Sequence, residues 1–235
     1  MKIGFSTGSL YRTHDRISPQ TFDIFRKVGC TALEILWHPL EDIEKIERLS
    51  REDFQGFKYI SIHLPLLDES KKDLLSRIEK VHERLHFDAA ILHPDEVKDW
   101  TFFKNTPLPL TIENMDARKA KCKNAADLQE VFQSIDINMT LDVAHAFDND
   151  PSMQLGKELA TTFQQRINEI HVSGYNYRDL HDPIHLSKQT QILDAIPSIN
   201  LPIIIESVCL TVDEVQKEFD YISTYLQRNQ LRITE

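Results

Sequence analysis

Six apolar runs in this chain each stop on a residue that a buried strand avoids. "SIH" ends on His63, "ILH" on His93, "TIE" on Glu113, "TLD" on Asp142, "EIH" on His171 and "IIE" on Glu206. His145 follows Asp142 by three residues, and "RDLHDPIH" adds Asp179, His181 and His185. Taken singly, each has a plain structural role. A histidine after a strand is commonly a core or loop residue, and a strand-end carboxylate often caps the next helix. Taken together they point to a metal site. Carboxylates brought to one point repel, and one of them is forced neutral. A divalent cation removes that repulsion, and imidazoles with carboxylates are its natural ligands.

Convergence of these residues requires a fold that gathers strand ends. Eight strand-like runs start at Lys2, Ala32, Lys58, Ala89, Leu108, Asn138, Asn168 and Pro202. Helical periodicity lies between them: Leu74, Ile78, Val81 and Leu85 share one face, as do Val212, Val215, Phe219, Ile222 and Leu226. "TVDE" reads as a capping box with Thr211 at the N-cap and Glu214 at N3. Ser18 before Pro19, and Asn124, are further helix starts. Strand-helix alternation repeated eight times predicts an α/β protein, a single (β/α)8 TIM barrel. The doubly wound sheet is the alternative, since it shares the alternation. No linker or low-complexity tract divides the chain, so residues 1–235 are expected to form one domain. In a barrel the C-terminal strand ends meet at one mouth, and the six polar residues meet with them.

Composition narrows the classes further. No run of 18 apolar residues exists, which excludes a membrane-spanning helix. The N-terminus lacks the apolar region of a signal peptide. Cys30, Cys122 and Cys209 are odd in number and far apart. They predict free thiols in a reducing compartment, and a cytoplasmic location is expected. The net charge of −10 argues against broad nucleic-acid binding, although a local basic patch is compatible with it.

The ordered set His63, His93-Pro94, Glu113-Asn114, Asp142-x-x-His145, His171, Asp179-x-His181 and Glu206 resembles endonuclease IV (AP endonuclease family 2). That family lies within the xylose-isomerase-like TIM-barrel superfamily. The match spans "IHLP" to "IIIES", about two thirds of the chain. The resemblance implies up to three divalent ions, most simply zinc, with manganese or iron as alternatives. It implies that His63 and His93 hold one ion and that Glu113 bridges to a second. Asp142, His171 and Glu206 would complete the second, and His145, Asp179 and His181 would hold the third. The implied activity is hydrolysis of a phosphoester in a sugar phosphate or abasic-site-like substrate, with Glu206 orienting water.

Sugar and sugar-phosphate isomerases and epimerases of the same superfamily resemble the chain at Glu113, Asp142, His171 and Glu206. That reading implies one metal, with Glu113 and Glu206 as the acid-base pair. His63 and His93 favour the multi-metal reading, because one ion does not need them. DNA is possible as a substrate but is not favoured. The loop between His171 and Asp179 is short, and the loops carry few clustered lysines or arginines beyond Arg12, Arg16 and Arg178. Trp37, Tyr175 and His185 are expected as substrate contacts. Glu34, inside the second strand, is expected to hydrogen-bond within the barrel.

Overall fold

The computed structural model describes residues 1–176 and 180–233. Asp179, one of the expected ligands, lies outside them, as do Tyr177 and Arg178. Eight parallel strands close into a barrel: β1 (Ile3–Ser6), β2 (Ala32–Leu36), β3 (Tyr59–His63), β4 (Ala89–Leu92), β5 (Leu110–Glu113), β6 (Asn138–Asp142), β7 (Ile167–Val172) and, after a hairpin, β10 (Ile203–Ile205). The hairpin pairs β8 (Gly174–Tyr175) with β9 (Leu180–Asp182). The expected (β/α)8 barrel is therefore the observed fold.

The outer ring departs from regular alternation at one place. Helices α1 (Pro19–Val28), α2 (Ile43–Arg48), α3 (Lys72–Leu85), α4 (Ala125–Ser134), α5 (Val143–Asn149), α6 (Gln154–Thr162), α7 (Ile184–Ser187), α8 (Thr190–Asp194) and α9 (Val212–Ile233) cover the sheet. The β4–β5 connection carries only the 3-10 turn Trp100–Phe103, not the crossover helix that alternation predicts. Phe103 fills the place of a helix face there, buried in the core.

Helix starts follow the local chemistry. Ser18 Oγ accepts from Thr21 N with Pro19 at the first helical position, and Asn124 accepts from Asp127 N. Thr211 Oγ1 accepts from Glu214 N at 3.1 Å. The Glu214 carboxylate accepts from Leu210 N at 2.6 Å, so this box closes one residue earlier than the sequence suggests. On α3 the buried stripe is Leu75, Ile78, Val81 and Leu85. Leu75 takes the place expected for Leu74, which is only partly buried. Among the described residues no helix is long and apolar enough to cross a membrane.

The pleat decides what enters the barrel. Alternate residues face inward, so Glu34 and Leu36, Ser61 and His63, Thr111 and Glu113, Thr140 and Asp142, and Glu169 and His171 stack as lower and upper members. A small apolar cluster of Ala32, Tyr59, Ala89, Ile91 and Ile204 is separate from the main core between sheet and helices. Close backbone approach is needed where β1 meets β2. A Cβ on Gly4 would lie 1.7 Å from the Ala32 carbonyl oxygen. Gly156 in α6 is different, since its nearest neighbour is the flexible Met153 methyl at 3.1 Å. We expect Gly4→Ala to lower stability in urea titration by more than ~3 kcal/mol, or to prevent recovery of folded protein. Gly156→Ala should change it by less than ~1 kcal/mol.

Candidate metal centre

The barrel mouth is built from the ends of six strands. His63 and Glu113 close β3 and β5, His93 follows β4, Asp142 closes β6, His171 lies in β7 and Glu206 follows β10. Glu113 sits at the middle of this set and is buried. Its Oε2 lies 3.5 Å from His63 Nε2 and 3.3 Å from His93 Nε2. Its Oε1 lies 3.0 Å from His171 Nδ1 and 3.7 Å from His145 Nδ1. The two oxygens of one carboxylate thus face two different groups of ligands.

Those groups have the composition of cation sites. His63, His93 and Glu113 offer donor atoms within 4.8 Å of one another, and so do Glu113, Asp142, His171 and Glu206. The residues fit a divalent ion on a separate observation. Asp142 Oδ2 is buried and has no hydrogen-bond partner, while Oδ1 accepts from His145 N at 2.7 Å. Asp142 is therefore a helix cap with one oxygen and an unsatisfied acceptor with the other. Burial and the neighbouring Glu113 charge raise the Asp142 carboxyl to about 6, although His145 opposes the shift. Burial also holds Glu206 well above the usual carboxylate range. Mixed nitrogen and oxygen donors of this kind suit zinc or a similar transition ion.

The third expected group is only partly described. His145 and His181 rings lie 6.1 Å apart at the cavity. Nδ1 of His145 is 2.9 Å from the Asn114 carbonyl oxygen, which leaves Nε2 for a ligand. His181 adopts a left-handed φ of 71°. That backbone strain typically costs about 1–3 kcal/mol and here turns an imidazole toward the cavity. Burial lowers the His181 imidazole to about 3, so it stands neutral, as a ligand must.

Beneath these ligands lies a polar layer where barrels of this kind hold branched apolar side chains. His171 Nε2 is 2.8 Å from Glu169 Oε1 and 3.0 Å from Glu34 Oε2, and all three residues are fully buried. Burial alone raises Glu34, but the close His171 charge overcomes it and holds Glu34 below its ordinary value. An ionised Glu34 can only accept, so Nε2 carries the proton and Nδ1 faces Glu113. Glu34 thus forms an ion pair inside the barrel, but neither of its oxygens has the hydrogen bond that its position in β2 suggests. Glu169 escaped the sequence reading, though it stands two residues before His171 on the same strand face. Asn114 stands in the ordered set of the sequence, but with no role of its own. Its amide donates to the Asp142 carbonyl at 2.8 Å and its side-chain oxygen accepts from Asp142 N at 2.9 Å, tying β5 to β6.

The expected substrate contacts need correction. His185 does not line the cavity. Its Nδ1 lies 2.7 Å from Glu218, whose carboxylate also accepts from Ile184 N and Ser207 Oγ, fixing α7 to α9. Tyr175 lies in β8 with its ring packed on Phe147 at 6.1 Å, away from the cavity lining. Trp37 reaches the cavity wall, but its ring is fully buried and Nε1 donates to the Leu40 carbonyl at 3.1 Å. It shapes the wall and has no polar atom left for a ligand.

Two outcomes test this centre. Glu169→Leu should weaken divalent-ion affinity about 10–100-fold in chelator competition, while Glu169→Gln, which still accepts from Nε2, retains most of it. The second outcome concerns pH. Burial opposes charge on His63, His145 and His171, but the surrounding carboxylates win and raise all three above 6.5. Stability from a raised imidazole is complete below its unfolded value and is lost as pH climbs through the folded one. Raised Glu206 and Asp142 act in the same direction, since the fold resists their ionisation. His181 is lowered, and its effect falls below pH 6.5, where the unfolded chain takes up the proton. Chelator-treated protein should therefore melt about 4 °C lower or more at pH 8.5 than at pH 6.5, with 1 kcal/mol worth roughly 2–4 °C. Added zinc should raise the melting temperature more at pH 8.5.

No family profile and no curated protein sequence matches the chain. Solved structures do. D-psicose 3-epimerase from Clostridium cellulolyticum H10 superposes with a TM-score of 0.63 at 13% identity, covering 97% of this chain and 99% of that one. An AP endonuclease, family 2, from Brucella melitensis gives 0.62 at 10% identity over 95% and 98% of the two chains. A xylose isomerase domain protein from Alicyclobacillus acidocaldarius gives 0.63 at 12% identity over 96% and 98%. The chain shares its (β/α)8 barrel fold with these proteins.

Proposed function

We propose that this protein is a metal-dependent phosphoesterase acting on a small phosphorylated substrate. The carrying observation is Glu113. One oxygen addresses His63 and His93, and the other addresses His171. A single-ion centre has no use for the two imidazoles on β3 and β4, whereas a bridged pair needs both. Divalent ions held there would supply Lewis acidity toward a phosphoryl oxygen and toward water. Glu206 lines the cavity between His171 at 3.5 Å and His181 at 3.6 Å, placed to orient a water and take its proton. The water oxygen bonds to phosphorus, the ester P–O bond breaks, and the organic group leaves as an alcohol with that proton.

The cavity, about 690 Å³, has the size of a small-molecule site. Among the described residues, each of the four lysines and arginines that line it already meets a carboxylate: Arg16 with Asp42, Lys71 with Asp68, Arg118 with Asp116, and Lys119 with Asp95 and Glu96. A DNA backbone needs a track of available cations. That favours a small phosphoester over abasic DNA.

A second reading, a sugar or sugar-phosphate epimerase, draws on the opposite displacement of two carboxyls. Burial raises both, but the imidazoles around Glu113 hold it well below its ordinary value, while Glu206 stays well above. Such a split suits an acid-base pair. Elemental analysis decides between them. Protein purified without added metal should carry two or more divalent ions per chain and release phosphate from small esters. One ion per chain, with solvent deuterium entering a ketose and no phosphate released, would establish the epimerase instead.

A further inference from the structure

The cavity has two chemically different sides. The ligands His63, His93, Glu113, His145, His181 and Glu206 form one. The other is built by the ends of β2, β3 and β4 and the loops after them. There Leu36, Leu40, Leu64, Leu66, Leu92 and Val97 face the cavity. Leu64, Leu92 and Val97 are buried, Leu36 and Leu40 half-buried, and Leu66 stands 39% exposed. The polar residues on this side are mostly engaged already. Ser6 Oγ accepts from Gly8 N, Arg16 pairs with Asp42, Lys71 with Asp68 and Glu96 with Lys119, and His63 and His93 turn to Glu113, while the exposed Tyr11 and His38 rings stand at the rim.

A polyol pressed against such a wall would leave hydroxyls without partners, and each unsatisfied group is penalised. An alkyl or aryl group would instead remove the leucines from water. The exposed Leu66 beside the buried apolar residues makes this patch continuous with the mouth, the arrangement expected of a ligand site. The volume also exceeds what a phosphate with a short polar chain would fill.

We propose that the substrate is a phosphoester whose organic group is apolar, with the phosphate at the Glu113 centre and the alkyl or aryl group on the Leu36–Leu66 wall. This rests on the phosphoesterase reading for the identity of the polar end. The wall itself depends only on the packing of β2, β3 and β4.

Two non-hydrolysable probes test it by calorimetry on zinc-loaded protein: 1-naphthylmethylphosphonate and methylphosphonate. The naphthyl compound should bind at least tenfold more tightly. Leu66→Ser, a change at an exposed loop position, should reduce that ratio threefold or more, and Leu36→Ser should do the same. Equal affinities, or a ratio unmoved in both variants, overturn the proposal. Release of 1-naphthol from 1-naphthyl phosphate tests the reaction separately. A strong naphthyl preference without any naphthol release keeps the apolar wall and removes the esterase reading. Phosphate release from glycerol phosphate with no naphthyl preference keeps the esterase and removes the wall.

Discussion

Glu113 is a buried carboxylate with imidazoles on both of its oxygens, and much of the barrel interior is arranged around that fact. Burial alone would drive it neutral. The nearby histidines reverse the outcome and hold it ionised. Each of those histidines needs its own support, because an imidazole buried beside one carboxylate still has a second nitrogen to satisfy. His171 meets Glu113 through Nδ1 and uses Glu169 and Glu34 at Nε2, whereas His145 turns Nδ1 to the Asn114 carbonyl and leaves Nε2 toward the cavity. The polar layer under the mouth follows from this requirement.

That layer has a cost in the packing. Thr111 and Thr140 hydrogen-bond each other at 3.1 Å across β5 and β6, which settles two of its members. Glu34, Glu169 and Ser61 keep buried oxygens without hydrogen-bond partners. A barrel selected for stability alone would fill these positions with valine, isoleucine or leucine. The apolar cluster of Ala32, Tyr59, Ala89, Ile91 and Ile204 offers that kind of filling alongside the polar layer. Polar groups left unsatisfied in a water-free interior mark a place where function outweighs packing.

The sequence displayed the barrel well because its short apolar runs and their strand-end chemistry reinforce each other. A histidine or carboxylate closing an apolar run is visible without any contact map, and His63, Glu113, Asp142 and His171 are all of this kind. Glu169 shows why the rest stayed hidden. It lies in mid-strand, where a carboxylate reads as a surface residue of a half-exposed strand, and only closure of the barrel turns that face inward. The role of Asn114 was hidden for a related reason, since it depends on a neighbour 28 residues away. Trp37, Tyr175 and His185 misled in the other direction. Ring chemistry suggests ligand contact, but Leu40, Phe147 and Glu218 satisfy these side chains first. The β4–β5 connection failed because a phenylalanine-rich 3-10 turn buries apolar area as a short helix would.

Asp142 unites the two readings that its sequence context left open. A strand-end aspartate before "VAH" is either a cap or a ligand if its two oxygens are treated as one group. In the barrel they are not equivalent. Oδ1 binds the first turn of α5 through His145 N, which fixes the χ angles of Asp142 and sets where α5 begins. Oδ2 is then left buried without a hydrogen-bond partner, 3.4 Å from His145 Nδ1, in a carboxylate grouped with Glu113, His171 and Glu206. Capping is the means by which the ligand is held in place, and the same short helix carries His145 to the neighbouring position. Helix start and donor atom are consequences of one side-chain conformation, so neither could be altered without the other.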